Sequence, residues 1–179
     1  MTERDFSKTT ATISTTQGDL VVRFFADKAP GHVRSFVELS EQGVYDGTCF
    51  HRVIPGFMIQ GGDPLTKDPK VSPARYGTGG HTDASGRPVH LRAEFNDISH
   101  KRGVLSMARA SDPHSASAQF FVVVKDSPFL DRQYTVFAEV VSGMEVADQI
   151  LVTSKPNLAD PSGGRPTVYQ RITKIEISG

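Results

Sequence analysis

At 179 residues the chain suits one domain and is long enough to bury roughly two thirds or more of its unfolded surface in a single core. Its 20 Lys and Arg balance 20 Asp and Glu, so no general attraction to nucleic acid or anionic lipid is expected and partners must be recognised by shape and local chemistry. Residues 1–16 are mostly Thr, Ser and charged, without the apolar stretch of a secretory signal, no run approaches a membrane span, and the one cysteine, Cys49, rules out an internal disulfide framework and agrees with a reducing cytoplasm.

Alternation in residues 10–15 and 20–25, with Gln17-Gly18-Asp19 between them, predicts an antiparallel hairpin. Pro30 near a first turn, apolar side chains at Val33, Phe36, Val37 and Leu39, and Gly43 at the exit predict a helix. Strands are expected over 48–54 and 57–61, joined by Pro55-Gly56 and closed by Gly61-Gly62. Cys49, among strand-like apolar neighbours, reads as a small buried hydrophobe.

Residues 63–94 combine little periodicity with many Gly, Pro and charged residues. A structureless stretch of that length is unusual in a compact domain, and the part from 64 to 92 reads as an elaborated loop. Gly77-Thr78-Gly79-Gly80 lacks the preceding strand, the following helix and the Lys-Ser/Thr pair of a phosphate-binding loop. His81, His90 and His100, with Asp83 and Glu94 nearby, match no zinc spacing and are expected to be solvated loop histidines, so neither a metal nor another cofactor is implied. Strands follow at 104–108, 119–124 and 135–141, then a second helix over 143–151 and a closing strand over 168–177. Many short strands with two helices predict a mainly β fold, an antiparallel sheet closing on itself. One domain is expected over 1–179, with 1–8 a flexible terminus.

The chemistry concentrates in Phe50-His51-Arg52-Val53-Ile54-Pro55-Gly56-Phe57-Met58-Ile59-Gln60-Gly61-Gly62-Asp63, which sets a guanidinium and a carboxamide among apolar side chains. An arginine in such a frame either lays its stem on apolar surface with its head in water or on a carboxylate, or serves a site. Strand alternation puts Met58 and Gln60 on one face, and Gln119 and Phe121 on one face opposite Phe120 and Val122. The apolar members of this set also fit plain core. His51 alternates away from Arg52 and reads as a packed strand residue.

This segment resembles, almost residue for residue, the signature of the cyclophilin family of peptidyl-prolyl cis-trans isomerases. The resemblance continues through Val44-Tyr45-Asp46-Gly47, Gly103-Val104-Leu105-Ser106-Met107-Ala108, Ala118-Gln119-Phe120-Phe121, Phe129-Leu130-Asp131 and Tyr134-Thr135-Val136-Phe137. It spans about 10–177; the first few residues, 64–92 and 154–166 lie outside it.

The resemblance implies a closed eight-stranded antiparallel barrel capped by two helices, and a cofactor-free, bacterial-style isomerase of Xaa-Pro bonds. Arg52 and Gln60 would be catalytic, with Phe57, Met58, Phe121 and Leu130 gripping the proline ring. Ala108 and Arg109 would offer a strand edge to an extended peptide, and Gln119, Phe129 and Tyr134 complete the substrate-binding set. Three positions depart from the family's usual pattern. Arg109 stands where many members have Asn, which bears on peptide charge. Phe129 replaces a Trp, implying weakened affinity for cyclosporin-type cyclic peptides, and Tyr134 replaces a frequent His, whose hydrogen bond a phenol can still donate. The implied partners are proline-containing segments of unfolded or flexible proteins, bound by a cytoplasmic monomer with no role for nucleic acid or membrane. The rival class is a binding module that holds proline segments as a chaperone or assembly factor, with incidental turnover.

Overall fold

Ten strands and two helices follow one another in the computed structural model, which describes residues 4–161 and 163–179. In chain order they are β1 (Thr10–Thr15), β2 (Gly18–Phe24), α1 (Pro30–Glu41), β3 (Arg52–Ile54), β4 (Met58–Gly61), β5 (Val104–Met107), β6 (Phe120–Val123), β7 (Val136–Ser142), α2 (Met144–Thr153), β8 (Pro156–Asn157), β9 (Arg165–Pro166) and β10 (Ile172–Ser178). Eight strands make one sheet in the order β10-β1-β2-β7-β5-β6-β4-β3, while β8 and β9 pair separately. Every ladder of the large sheet is antiparallel.

The two sheet edges meet through a bridge between Cys49 and Arg171, flanked by hydrogen bonds from Phe50 N to Gln170 O (2.9 Å) and from Ile172 N to Thr48 O (2.8 Å). Closure is therefore approximate, made by one bridge instead of a full ladder. The strands expected over 48–54 and 168–177 are correspondingly shorter, because residues 48–50 and 170–171 meet each other in an isolated bridge and not in a continuous ladder. Cys49 is buried, and burial pushes its thiol up to about 11, as suits a packed side chain instead of a reactive one.

Helix α1 buries Val33, Phe36, Val37 and Ser40 against the inner face of the sheet, the i, i+3, i+4, i+7 spacing of one helical stripe. Phe36 is its centre, with ring centroids 5.1 Å from Tyr45, 5.3 Å from Phe120 and 5.3 Å from Phe137. No side chain at the Ala29 cap bonds the helix start. Glu94, far along the chain, takes that role by accepting from Gly31 N at 3.1 Å and His32 N at 2.8 Å, which satisfies two orphan donors and sets a negative charge at the positive helix end. The segment before β1 is also tied down. Phe6 is only 6% exposed within the main core, while residues 1–3 lie outside the described residues.

Strands β5 and β6 are buried on both faces. Their inner side chains, among them Leu105, Met107, Phe120 and Val122, join the barrel core. Their outer side chains, Val104, Phe121 and Val123, join Met58, Leu130 and Val136 in a second apolar cluster. That outer cluster is the floor on which the functional groups stand.

Residues 64–92 are not structureless. Pro64–Lys67 and Pro73–Arg75 form short 3-10 turns, opened by Asp63, whose side chain accepts from Leu65 N, and by Ser72, whose side chain accepts from Ala74 N. Each begins with a capping residue followed by Pro, a pairing suited to a turn start because Pro fixes φ and needs no donor.

Candidate active site

Strand register assembles the site. Arg52 pairs with Gln60 across β3 and β4, Gln60 with Phe121 across β4 and β6, and Phe121 with Ser106 across β6 and β5. Because opposed residues in a ladder share a face, these four form one row on the outer side of the sheet. The next row runs from Ile54 through Met58 to Val123. A groove of about 520 Å³ opens over Arg52, Gln60 and Phe121 of the first row and Met58 of the second.

Of the expected site residues, Arg52, Gln60, Met58 and Phe121 line this groove from the sheet, and Phe57, Ala108, Arg109, Leu130 and Tyr134 line it from outside the strands. Gln119 borders the adjoining groove. Phe129 does not line either groove; it is 64% exposed, with its ring 5.6 Å from that of Phe57, which does.

Arg52 is half-buried, and its guanidinium has no hydrogen-bond or ion-pair partner among the described residues. Gln60 is fixed instead: its Nε2 donates to Gln119 Oε1 at 3.1 Å, and Gln119 Nε2 donates to Gly77 O at 2.9 Å and Gly79 O at 2.7 Å. Arg109 is held by carbonyls alone. Its Nε and Nη2 donate to Gln133 O at 3.1 and 2.8 Å, its Nη1 donates to Ala110 O at 2.9 Å, and its plane lies 4.6 Å over the Tyr134 ring.

Two features escape sequence reasoning. The first is the contribution of residues 64–92, read from the sequence only as an elaborated loop. Ala74, Tyr76 and Gly77 in fact wall the groove, and the carbonyls of Gly77 and Gly79 hold Gln119. The loop is pinned by Asp63, fully buried, whose carboxylate accepts from Leu65 N at 2.9 Å, Gly77 N at 2.7 Å and Gly79 N at 3.1 Å. A Cβ at Gly79 would come within 2.1 Å of Asp63 Oδ1, so the glycine run cradles the protein's own carboxylate. Beyond the loop, Arg165 and Tyr169 also border the groove.

The second is His100. Grouped by sequence with His81 and His90 as a solvated histidine, it is fully buried, because it lies under the outer cluster instead of in the loop. Its Nδ1 lies 3.0 Å from Asp131 Oδ1 and its Nε2 2.9 Å from Ser106 Oγ, and the ring stacks on Phe121 at 6.2 Å and 15°. Burial pushes its pKa down, against the pull of Asp131. The acceptor-only carboxylate then assigns the proton to Nδ1, leaving Nε2 to accept from Ser106. His51 is packed, 9% exposed, beside Gly77, but it borders the same groove as Arg52 instead of turning wholly away from it. His81, His90 and His100 are not brought together with Asp83 and Glu94; among the described residues no three His, Cys, Asp or Glu side chains converge as metal ligands would.

Comparison with known proteins agrees with this geometry. Residues 10–177 match the family described as cyclophilin type peptidyl-prolyl cis-trans isomerase/CLD. The chain belongs to the cyclophilin family. Among relatives, this cyclophilin is 42% identical over 174 residues to peptidyl-prolyl cis-trans isomerase B of Escherichia coli, covering 93% of each chain. It is 46% identical over 135 residues to a probable peptidyl-prolyl cis-trans isomerase of Brucella abortus, covering 74% of this chain and 66% of that protein, just under two thirds of its length. A crystal structure of a Cryptosporidium parvum cyclophilin type isomerase superposes with a TM-score of 0.77 at 30% identity, covering 95% of this chain and 97% of that one. A second structure of it, in the presence of the dipeptide Ala-Pro, gives the same TM-score at 31% identity, covering 95% of this chain and 99% of that one. No helix among the described residues is long and apolar enough to cross a membrane.

Proposed function

We propose that this member of the cyclophilin-type isomerases accelerates rotation about Xaa-Pro bonds in unfolded or flexible protein segments, with Arg52 donating to the prolyl nitrogen and Gln60 holding the adjoining carbonyl. The barrier to rotation, about 18–20 kcal/mol, is lost amide resonance, and the uncatalysed step takes roughly 10–100 s. Reaching about a millisecond requires some four to five decades, or roughly 5.5–7 kcal/mol. No covalent step is involved, so the chemistry calls for neither a nucleophile nor a cofactor. It calls for a site that binds the twisted amide better than either planar one.

The observation that carries this reading is the partnerless Arg52 guanidinium beside the apolar floor of Met58, Phe121 and Leu130. As the amide twists, the nitrogen lone pair localises and becomes an acceptor, and a charged donor already in place stabilises that state without reorganising. One charged hydrogen bond contributes about 1.5–3 kcal/mol, so the remainder must come from the pocket and Gln60. The relative solved in the presence of Ala-Pro supports a proline-containing ligand. A chaperone-like binding module would need the pocket but not a donor aimed at the nitrogen. The reading extends to a monomeric single domain working in the cytoplasm.

NMR exchange spectroscopy on an Ala-Pro peptide tests it. Arg52→Ala should lower the catalysed rate by about 10²–10³, the effect of losing one preorganised transition-state donor, while peptide binding weakens far less and melting is unchanged. Near-full activity in a folded Arg52→Ala protein would remove Arg52 from catalysis.

A further inference from the structure

The groove carries a charge imbalance that prolyl isomerisation itself does not require. Although the chain is formally neutral, three arginines, Arg52, Arg109 and Arg165, border the groove and no Asp or Glu does; Arg109 also borders the adjoining groove, which again has no acid in its lining. Neutral carbonyls hold Arg109 without cancelling its charge, and its nearest acid in sequence, Asp112, is turned to His114 N at 2.8 Å. Arg165 donates to Pro73 O at 3.0 Å, and its Nε is 4.0 Å from Asp160. A half-enclosed cleft lined by one sign of charge concentrates the opposite sign, and a guanidinium already locked in place loses little rotamer freedom when it meets a carboxylate.

We propose that this groove selects proline segments that carry a carboxylate side chain next to the proline, with Arg109 reading the residue immediately before it. The inference rests on the isomerase reading and on that residue lying along Ala108 and Arg109. Arg109 becomes a specificity determinant, and the clients are acidic, flexible segments.

The test uses three peptides that differ only in having Glu, Gln or Lys before the proline, with kcat/KM from NMR exchange at about 20 mM and about 500 mM salt, where screening shortens to a few ångströms. Glu should exceed Gln by about threefold to tenfold at low salt, the range of one or two partly exposed charge pairs, with Lys below Gln and the spread collapsing at high salt. Arg109→Gln should bring the Glu-to-Gln ratio toward one, and Arg109→Glu should reverse the order of Glu and Lys. The ratio within each variant is the readout, so any change in absolute rate cancels, and the salt series on the unaltered protein decides the matter even if a variant fails to fold. Equal acceleration of all three peptides at low salt overturns the charge selection while leaving the isomerase reading intact. No acceleration of any peptide overturns both.

Discussion

Asp63→Asn separates the loop's contribution to the site from that of the barrel. Asp63 Oδ1 accepts from Leu65 N, and Oδ2 accepts from Gly77 N and Gly79 N. Asparagine has one oxygen. Turned toward the glycines it keeps two bonds but faces Leu65 N–H with an amide donor; turned the other way it loses two. The better choice forfeits one charge-assisted bond, about 1.5–3 kcal/mol, and weakens the remaining two, for a total of about 2–4 kcal/mol. The cluster around Phe36 is untouched, so the barrel should still fold. The loop would hold its position less well, and with it the carbonyls of Gly77 and Gly79 that fix Gln119, whose Oε1 in turn fixes Gln60. Urea unfolding should show the stability loss, and exchange NMR on an Ala-Pro peptide at a temperature where the variant is folded should show kcat/KM reduced by about tenfold, or about 1.4 kcal/mol. A stability loss of the expected size with unchanged turnover would refute the chain from loop to Gln119 to Gln60.

Burial pushes His32, His51 and His100 below the ordinary histidine range, with Glu94, Asp63 and Asp131 respectively opposing it. The unfolded chain therefore binds more protons below about pH 6.5, so stability is full above that value and is lost as pH falls toward the folded pKa values, at up to about 1.4 kcal/mol per pH unit for each histidine. Urea midpoints between pH 7.5 and 5 check this, and a flat profile would contradict the assignment of three neutral buried histidines. Phe129 offers a ring without an indole donor, so cyclosporin-type peptides should bind about 1–2 kcal/mol more weakly than to Phe129→Trp. Equal affinities by calorimetry would place Phe129 outside the ligand's footprint.

Sequence periodicity reached the fold because most of its elements bury one face. Val33, Phe36 and Val37 announce α1, and the alternation of Gln119, Phe120, Phe121 and Val122 separates a groove face from a core face, as the two apolar clusters confirm. The row of Arg52, Gln60 and Phe121 was legible residue by residue but not as a row, since register between strands distant in sequence has no local signature. The role of residues 64–92 was illegible for a related reason. Asp63 meets partners 14 and 16 residues away, and hydrogen bonds of that span follow no period. Its one trace is the glycine run at 77–80, which reads as a backbone cradle without revealing which anion it receives. His100 was misplaced because the lack of a zinc spacing excludes a metal site but says nothing of burial, and the imidazole stacks on Phe121 and bonds Ser106 across the fold.

The line of Asp131, His100 and Ser106 has the residue types and hydrogen-bond order of a hydrolytic triad, yet solvent access assigns it another role. A nucleophilic serine must reach a substrate carbonyl beside an oxyanion site. Ser106 is fully buried, its Oγ bonded to His100 Nε2, and its cross-strand neighbour Phe121 faces the groove. With burial pushing the imidazole's pKa down and Nδ1 donating to Asp131, the three side chains form a polar network whose groups satisfy one another, the condition under which buried polarity rigidifies instead of destabilising. The stacked imidazole then fixes the plane of Phe121 from behind. If Phe121 walls a proline ring, as proposed above, the same three residues that would perform chemistry on a surface would serve to hold that wall in place.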